Sequence, residues 1–240
     1  MTGSHAAPID SQLLPAVELP PGYDNFVLLM AATKGGVGKS TLAINLAVAA
    51  AQCGLQSLII DADSAGEQVS CFNWFEKLRV KGAAGPKVIR AAIANVENAI
   101  NWGKSKGYQV IVVDTGGYDL PSLPRLLDLS DFMLTPALPS PLDLEATAPI
   151  RRVWRTSATP ASVILNGIGN ENTARAKRYR DRHAATGKIL SLMVSRRVQY
   201  VDAIASGMGV SEYLPGGLGD VEMRNLLSAV FVAGNGGGRS

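Results

Sequence analysis

Cysteine is scarce in this chain, where Cys53 and Cys71 are the only two among 240 residues. Two thiols without metal-ligand spacing speak against a disulfide framework and against a zinc site, and they are typical of the reducing cytosol. Long apolar runs are also missing. The run Leu58–Ile60 stops at Asp61, far short of the roughly 20 residues that a membrane-spanning helix needs. The sequence therefore predicts a soluble, cytoplasmic protein.

A strong net charge of either sign is absent as well. The formal charge is +3 at pH 7, which is too small by itself to indicate a nucleic-acid partner, so local clusters of basic residues must be examined. The start of the chain is rich in proline and has no basic segment leading into an apolar one, so it does not resemble a signal peptide. We predict a flexible leader over residues 1–24 and a disordered, glycine-rich tail over residues 234–240.

What the chain does contain is a series of short apolar runs, separated by helical patterns. The runs are nearly continuous in apolar residues, as is typical of strands buried on both faces of a parallel sheet. The sequence therefore predicts a doubly wound α/β fold, with a mostly parallel sheet and helices on both faces. In such a sheet, ligands bind beyond the carboxyl ends of the strands. The predicted strands cover residues 26–31, 56–60, 109–113, 132–135 and 162–165.

A glycine-rich segment follows the first predicted strand and precedes a helical pattern. Its glycines allow successive backbone N–H groups to point at phosphate oxygens, beside the positive end of the following helix. Lys39 is expected to reach the β and γ phosphates, and Ser40 is expected to bind Mg²⁺ beside them. The order of strand, loop and helix predicts a P-loop NTPase. The segment is Thr33-Lys34-Gly35-Gly36-Val37-Gly38-Lys39-Ser40-Thr41.

The loop departs from the ordinary P-loop pattern, because it opens with Thr33 instead of glycine and adds a second lysine, Lys34. In these features it closely resembles the deviant Walker A box of ParA/MinD ATPases, and above all that of small plasmid-partition proteins. The resemblance implies a single ATPase domain over residues 25–233, with ATP and Mg²⁺ as cofactors. It also implies a homodimer that forms on ATP, in which Lys34 reaches the partner's phosphates as an arginine finger does in trans.

Carboxylates follow the second and third predicted strands. Asp61 and Asp63 lie at the end of the second predicted strand. Asp114 follows the apolar run of the third, residues 110–113, which is the pattern of a Walker B strand. The resemblance assigns water positioning to Asp63, with Asp61 in a supporting position, and it assigns Mg²⁺ to Asp114 together with Ser40. Relatives usually continue Asp-Pro-Gln where this chain has Asp63-Ser64-Ala65. The switch loop after the second strand is therefore unusual.

Three further positions follow from the same resemblance. Asn166 ends the strand that lies near the adenine in relatives, so it is expected to read the base edge. An asparagine at this position is also an ordinary turn former. Pro139 and Asp143 lie in a loop that is near the dimer interface in relatives.

The resemblance leaves several functions open, which the sequence separates only in part. A membrane-positioning ATPase of the MinD type needs a basic amphipathic helix, whereas the last predicted helix, residues 221–232, has Arg224 as its only base. An iron–sulfur relative needs cysteines beyond Asp114, and a scaffolding kinase needs a tyrosine-rich tail. Neither is present here. A ligase-type metabolic enzyme and a membrane-associated ATPase remain the alternatives.

A basic segment favours a DNA-associated positioning or partition ATPase. The resemblance implies that such an ATPase is located at the nucleoid and that a partner protein stimulates its slow hydrolysis. The segment lies on one predicted helix, Thr173–His183, where a stripe of arginines would face phosphates of non-specific DNA. The alternative is a solvated helix face, with DNA bound instead near Arg151, Arg152, Arg196 and Arg197. The cargo, whether plasmid, chromosome region or protein assembly, stays open. The predicted DNA contacts are Arg175, Lys177, Arg178, Arg180 and Arg182.

Overall fold

A seven-stranded sheet forms the centre of the protein in a computed structural model. Its strand order is β3-β2-β4-β1-β5-β6-β7, and every neighbouring pair is parallel. The structure describes residues 14–63, 71–77, 79, 85–117, 120–169, 173–184 and 189–236. The strands are β1 Phe26–Met30, β2 Ser57–Ala62, β3 Lys87–Arg90, β4 Val110–Thr115, β5 Phe132–Ala137, β6 Ala161–Ile168 and β7 Ile189–Ser195.

Helices cover both faces of this sheet, so the predicted doubly wound α/β fold is confirmed. The central strand β1 is buried on both sides: Phe26 and Leu28 enter one apolar cluster, whereas Val27 and Leu29 enter the other. The first cluster is covered by α1 Lys39–Gln52, α2 Cys71–Lys77, α8 Val198–Ala205, α9 Val210–Tyr213 and α10 Leu218–Asn235. The second is covered by α3 Val96–Ser105, α4 Leu123–Asp128, α5 Pro141–Glu145, α6 Ala148–Trp154 and α7 Thr173–Ala184.

The five predicted strands are all present, but β3 and β7 were not predicted. Both lie at the edges of the sheet. In β3 only Val88 is buried, and in β7 only Val194 is buried. Edge strands are covered less completely than central ones, so they lack the continuous apolar run by which the others were recognised.

The ends of the described chain are more ordered than the sequence indicated. Val17 is buried in the core, so the predicted flexible leader is wrong for this part; residues 1–13 lie outside the described residues. Helix α10 continues through Asn235, and Gly234 packs so closely on Phe26 that a Cβ would lie 2.5 Å from its ring. The predicted tail therefore begins too early, and residues 237–240 lie outside the described residues. Across the described ranges, no helix is long and apolar enough to cross a bilayer.

Candidate functional site

The glycine loop between β1 and α1 has the geometry of an anion site. Gly36 and Gly38 have φ values of 75° and 96°, a left-handed conformation that favours glycine. Gly38 immediately precedes the first residue of α1, Lys39, whose side chain is buried. A helix start presents backbone N–H groups that have no partner within the helix. Those of α1 and the Lys39 ammonium therefore lie at one place, the carboxyl end of the central strand, where they can bind phosphate.

Asn166 on β6 supports this loop from the side. Its Nδ2 donates a hydrogen bond of 2.8 Å to the carbonyl oxygen of Val37, and its Oδ1 accepts one of 2.9 Å from the N–H of Gly167. The approach leaves no room for a side chain at Gly38, because a Cβ there would lie 2.3 Å from Nδ2. Part of the amide is thus engaged by protein, and its predicted role in reading the base stays a prediction.

Asp61 and Asp114 are direct neighbours on β2 and β4, but their surroundings differ. Each oxygen of Asp61 accepts a backbone hydrogen bond: one from the N–H of Asp63 at 3.2 Å, and the other from the N–H of Phe72 at 2.8 Å. These bonds stabilise the buried carboxylate and hold the start of α2 against the sheet. Asp61 is therefore a structural anchor.

Asp114 is fully buried and keeps one oxygen for a ligand. Its Oδ2 lies 3.2 Å from the Cys71 thiol, whereas no hydrogen-bond partner for Oδ1 lies among the described residues. Burial raises the pKa of Asp114 to about 6, against hydrogen bonds from Ser40 and Cys71 that lower it. A buried carboxylate oxygen without a partner calls for a cation. Mg²⁺ fits here, because it is commonly held by one or two carboxylates together with substrate phosphates.

Asp63 lies beside the end of β4, where two glycines leave room for its side chain. It comes directly after β2, and a Cβ on Gly116 would lie 2.7 Å from its Oδ1. A Cβ on Gly117 would lie 3.4 Å from the backbone nitrogen of Gly35 in the P-loop. The two glycines thus allow the ends of β2 and β4 to approach the phosphate loop. The sequence contained this signal, but no role was assigned to it.

Lys34 does not point into its own phosphate site but is held by Asp143. Its Nζ lies 2.6 Å from Oδ1 of Asp143, and its side chain remains 49% exposed, whereas that of Asp143 is 7% exposed. Burial would raise the pKa of Asp143, but hydrogen bonds from Lys34 and Ser140, together with the charge of Lys34, lower it. Ser140 also caps α5, since its hydroxyl accepts the N–H of Asp143 at 3.1 Å. The loop that sequence resemblance indicated thus supplies the acceptor for Lys34.

The predicted DNA-binding helix is present as α7. Ala176 is buried and anchors it to the sheet, whereas Arg175, Lys177 and Arg178 are exposed. Arg180 is 3.0 Å from Oδ1 of Asp181 in an ion pair on the surface. The fifth predicted contact, Arg182, lies within α7, but its side chain is outside the described set.

These features define a P-loop nucleotide-binding protein. They are a strand, a glycine loop and a helix with a buried lysine, next to a buried carboxylate at the carboxyl edge of a parallel sheet. The sequence profile of the CobQ/CobB/MinD/ParA nucleotide binding domain matches residues 28–210. The chain belongs to this family, and the predicted relationship to ParA/MinD ATPases is confirmed.

Comparisons with individual proteins agree with this assignment. The chain is 27% identical over 190 residues to maintenance of carboxysome distribution protein A of Halothiobacillus neapolitanus, covering 77% of this chain and 86% of that protein. It is 32% identical over 145 residues to the protein of the same name from Gloeobacter kilaueensis, covering 60% and 63%. The fold is similar to that of MinD from Pyrococcus horikoshii in complex with Mg-ADP, with a TM-score of 0.64 at 15% identity, covering 84% and 95%.

Proposed function

We propose that this chain is a DNA-associated positioning ATPase. It dimerises on ATP and Mg²⁺, binds non-specific DNA in that state, and releases the DNA after slow hydrolysis that a partner protein accelerates. The observation that carries this proposal is the placement of Lys34. Its ammonium is paired with Asp143 at 2.6 Å and its side chain is 49% exposed, while Lys39, the other lysine of the loop, is buried. A second lysine that faces outward from a P-loop is suited to the phosphates of another subunit.

The name of the Halothiobacillus relative, which refers to the maintenance of carboxysome distribution, supports a positioning role over a ligase. The packing of α10 speaks against a membrane-associated ATPase. Four apolar side chains of this helix, Leu226, Leu227, Val230 and Phe231, are buried in the core, which leaves only Leu218 and Val232 among its large apolar side chains strongly exposed in the described part of the chain.

Within this function, Asp63 is the carboxylate that orients the attacking water, and Asp61 is not. Asp61 is buried, and its two oxygens accept the backbone N–H groups that hold the start of α2 in place. Asp63 follows β2 directly and is half-buried beside Gly116. This position of Asp63 supports the assignment that family resemblance indicated.

Replacing Asp63 is therefore expected to stop turnover without preventing assembly. In Asp63→Ala we expect the rate of ATP hydrolysis to fall about 100-fold or more, as is usual when a positioned acid–base group is lost. ATP binding should remain, because the P-loop is intact. Phosphate release and light scattering, measured with and without ATP, check both points. A parental rate of hydrolysis in Asp63→Ala would transfer the role to another residue.

The proposed DNA surface is the outer side of α7. Arg175, Lys177 and Arg178 are exposed there, and the surface pair of Arg180 with Asp181 is weak enough to exchange for phosphate. One helix offers few contacts, but a two-fold symmetric dimer offers the set twice. Dimerisation on nucleotide would thus switch DNA affinity, which a positioning system requires.

A salt titration of DNA binding tests this surface. With about six phosphate contacts per dimer, the slope of log affinity against log salt is expected to be roughly −5. In Lys177→Glu/Arg178→Glu, which removes two contacts per subunit, we expect the slope to flatten by about 4 and affinity to become too weak to measure at physiological salt. Fluorescence anisotropy with a labelled duplex, with and without ATP, is the measurement.

The matched control changes the same charge on another helix. Lys104→Glu/Lys106→Glu alters two basic residues at the end of α3. This helix packs on β2 and β4, whereas α7 packs on β6 and β7, so the slope should remain unchanged. If the α7 variant dimerises and keeps the parental affinity and slope, α7 is only a solvated face. The surface around Arg151, Arg152 and Arg196 then becomes the DNA site.

A further inference from the structure

Cys71 is a buried thiol whose contacts have no place in the functions described above. It is the first residue of α2, and its Sγ lies 3.2 Å from Oδ2 of Asp114 and 3.8 Å from the carbonyl oxygen of Ser40. A thiol has one proton to donate, and the nearer, ionisable carboxylate is the stronger acceptor. The thiol therefore donates to Asp114.

The thiol, together with the side-chain hydrogen bond from Ser40, still leaves one of the two carboxylate oxygens without a partner within the residues that the structure describes. Oδ1 of Asp114 is buried, and the described part of the chain provides no hydrogen-bond partner for it. A fully buried carboxylate with one oxygen held and the other unpartnered is oriented toward a ligand. Because the carboxylate is planar, holding Oδ2 also sets the direction of Oδ1.

The position of the thiol is itself fixed by the neighbouring strand. The N–H of Phe72, the next residue of α2, donates to Oδ2 of Asp61 at 2.8 Å, and Asp61 is the direct neighbour of Asp114 in the sheet. One turn further, Trp74 is fully buried in the core. With its helix held at both points, Cys71 has little freedom to turn away from Asp114.

We propose that Cys71 is a positioning residue of the magnesium site, where its thiol holds Oδ2 of Asp114 and thereby directs Oδ1 at the metal. The inference rests on the magnesium role proposed for Asp114. Groups that orient metal ligands are commonly worth about 10- to 100-fold in metal affinity. Removal of the thiol is therefore expected to weaken the metal site selectively, while the phosphate loop keeps its affinity for nucleotide.

The test is the affinity for Mn²⁺, a paramagnetic probe for Mg²⁺, titrated into the ADP complex of each variant and followed by the resonance of free Mn²⁺. Cys71→Ala is expected to bind Mn²⁺ about tenfold more weakly. Cys71→Ser, whose hydroxyl also donates one hydrogen bond, is expected to stay within about threefold of the parent. ADP binding in the presence of a chelator should be the same in all three, which shows that the fold and the P-loop are intact.

A spectroscopic signature separates orientation from simple filling of space. The S–H stretching band of Cys71, obtained as the difference between parent and Cys71→Ser, should lie at low frequency because the acceptor is charged. It should move to higher frequency in Asp114→Asn, which has a neutral acceptor. The band should persist with Mg²⁺ and ADP bound, since the thiol orients Asp114 and does not ligate the metal.

Each other outcome overturns a defined part of the inference. Three results would leave Cys71 as a core residue. The first is parental Mn²⁺ affinity in Cys71→Ala, and the second is an equal loss of Mn²⁺ affinity in the alanine and serine variants. The third is a loss of ADP affinity in the presence of chelator that equals the loss of Mn²⁺ affinity. Disappearance of the S–H band on metal binding would make it a direct ligand instead. If Asp114→Asn itself kept the parental Mn²⁺ affinity, the magnesium role of Asp114 would fail, and the role of Cys71 with it.

Discussion

Replacing Lys39 by alanine is expected to weaken ATP binding by roughly 100-fold or more at millimolar magnesium. The Lys39 side chain is buried at the start of α1, next to the left-handed Gly38, where it would neutralise phosphate inside a low-dielectric loop. Removing one partner of such a buried charged pair costs about 3 kcal/mol or more, which weakens Kd by roughly 100-fold. Calorimetric titration with ATP and Mg²⁺ measures the loss directly.

Thermal unfolding of the free protein provides an internal check on this variant. A positive charge at the N-terminus of a helix is unfavourable, and alanine is the best helix former. Lys39→Ala should therefore unfold at the parental temperature or above it in the absence of nucleotide. Nucleotide affinity within a few fold of the parent in a folded Lys39→Ala protein would contradict the assignment of the phosphate site.

Lys34→Ala removes the same charge from the same loop but is expected to have a different effect. It should bind ATP with nearly parental affinity, because the Lys34 ammonium is held by Asp143 and is half-exposed. Hydrolysis should fall by about 1,000-fold or more, the range found when a charge supplied in trans to a phosphoryl group is lost. Dimerisation on a hydrolysis-resistant ATP analogue, followed by light scattering, should be lost or greatly weakened. A Lys34→Ala protein that dimerises and hydrolyses ATP like the parent would contradict this role.

Mixing two inactive variants tests whether Lys34 acts across the interface. In a mixed dimer of Lys34→Ala with Asp63→Ala, the first subunit keeps its own Asp63 and receives Lys34 from the second. One of the two sites in each mixed dimer is complete, so hydrolysis should return to a large fraction, at most about half, of the parental rate. If Lys34 acts within its own subunit, neither site is complete and the mixture stays inactive. Lys106→Ala, which removes an exposed lysine outside the site, is the matched control and should behave as the parent.

The ion pair of Lys34 with Asp143 can be tested in the same dimerisation assay. In the proposed dimer the contact must break before Lys34 can reach the other subunit, so we expect it to oppose dimerisation in the free protein. Asp143→Asn removes the charge but preserves the shape, and the Ser140 hydroxyl can still cap α5. Dimerisation should then require less nucleotide than in the parent. An unchanged nucleotide requirement would mean that the pair has no influence on assembly.

Much of the fold and part of the site could be predicted from local sequence. Five of the strands are continuous apolar runs because both faces of a parallel sheet are buried, and each run by itself indicates a strand. The segment from Lys34 to Thr41 is likewise a local signal, since a strand, a glycine turn and a helix start are consecutive in the chain. By contrast, β3 and β7 gave weak signals because edge strands are only half-covered.

The sequence by itself thus determined the phosphate loop, the class of fold and the strand ends that bear Asp61, Asp63 and Asp114, because those features depend on neighbours in the chain. Only the tertiary structure decided how each carboxylate is used. Asp61 accepts a hydrogen bond from the start of α2, Asp114 accepts one from the thiol of Cys71, and Lys34 is held by Asp143, which is 109 residues away. These partners come together through the strand order, in which β1 has β4 on one side and β5 on the other, and β4 pairs in turn with β2. Spacing in the chain carries no record of that order.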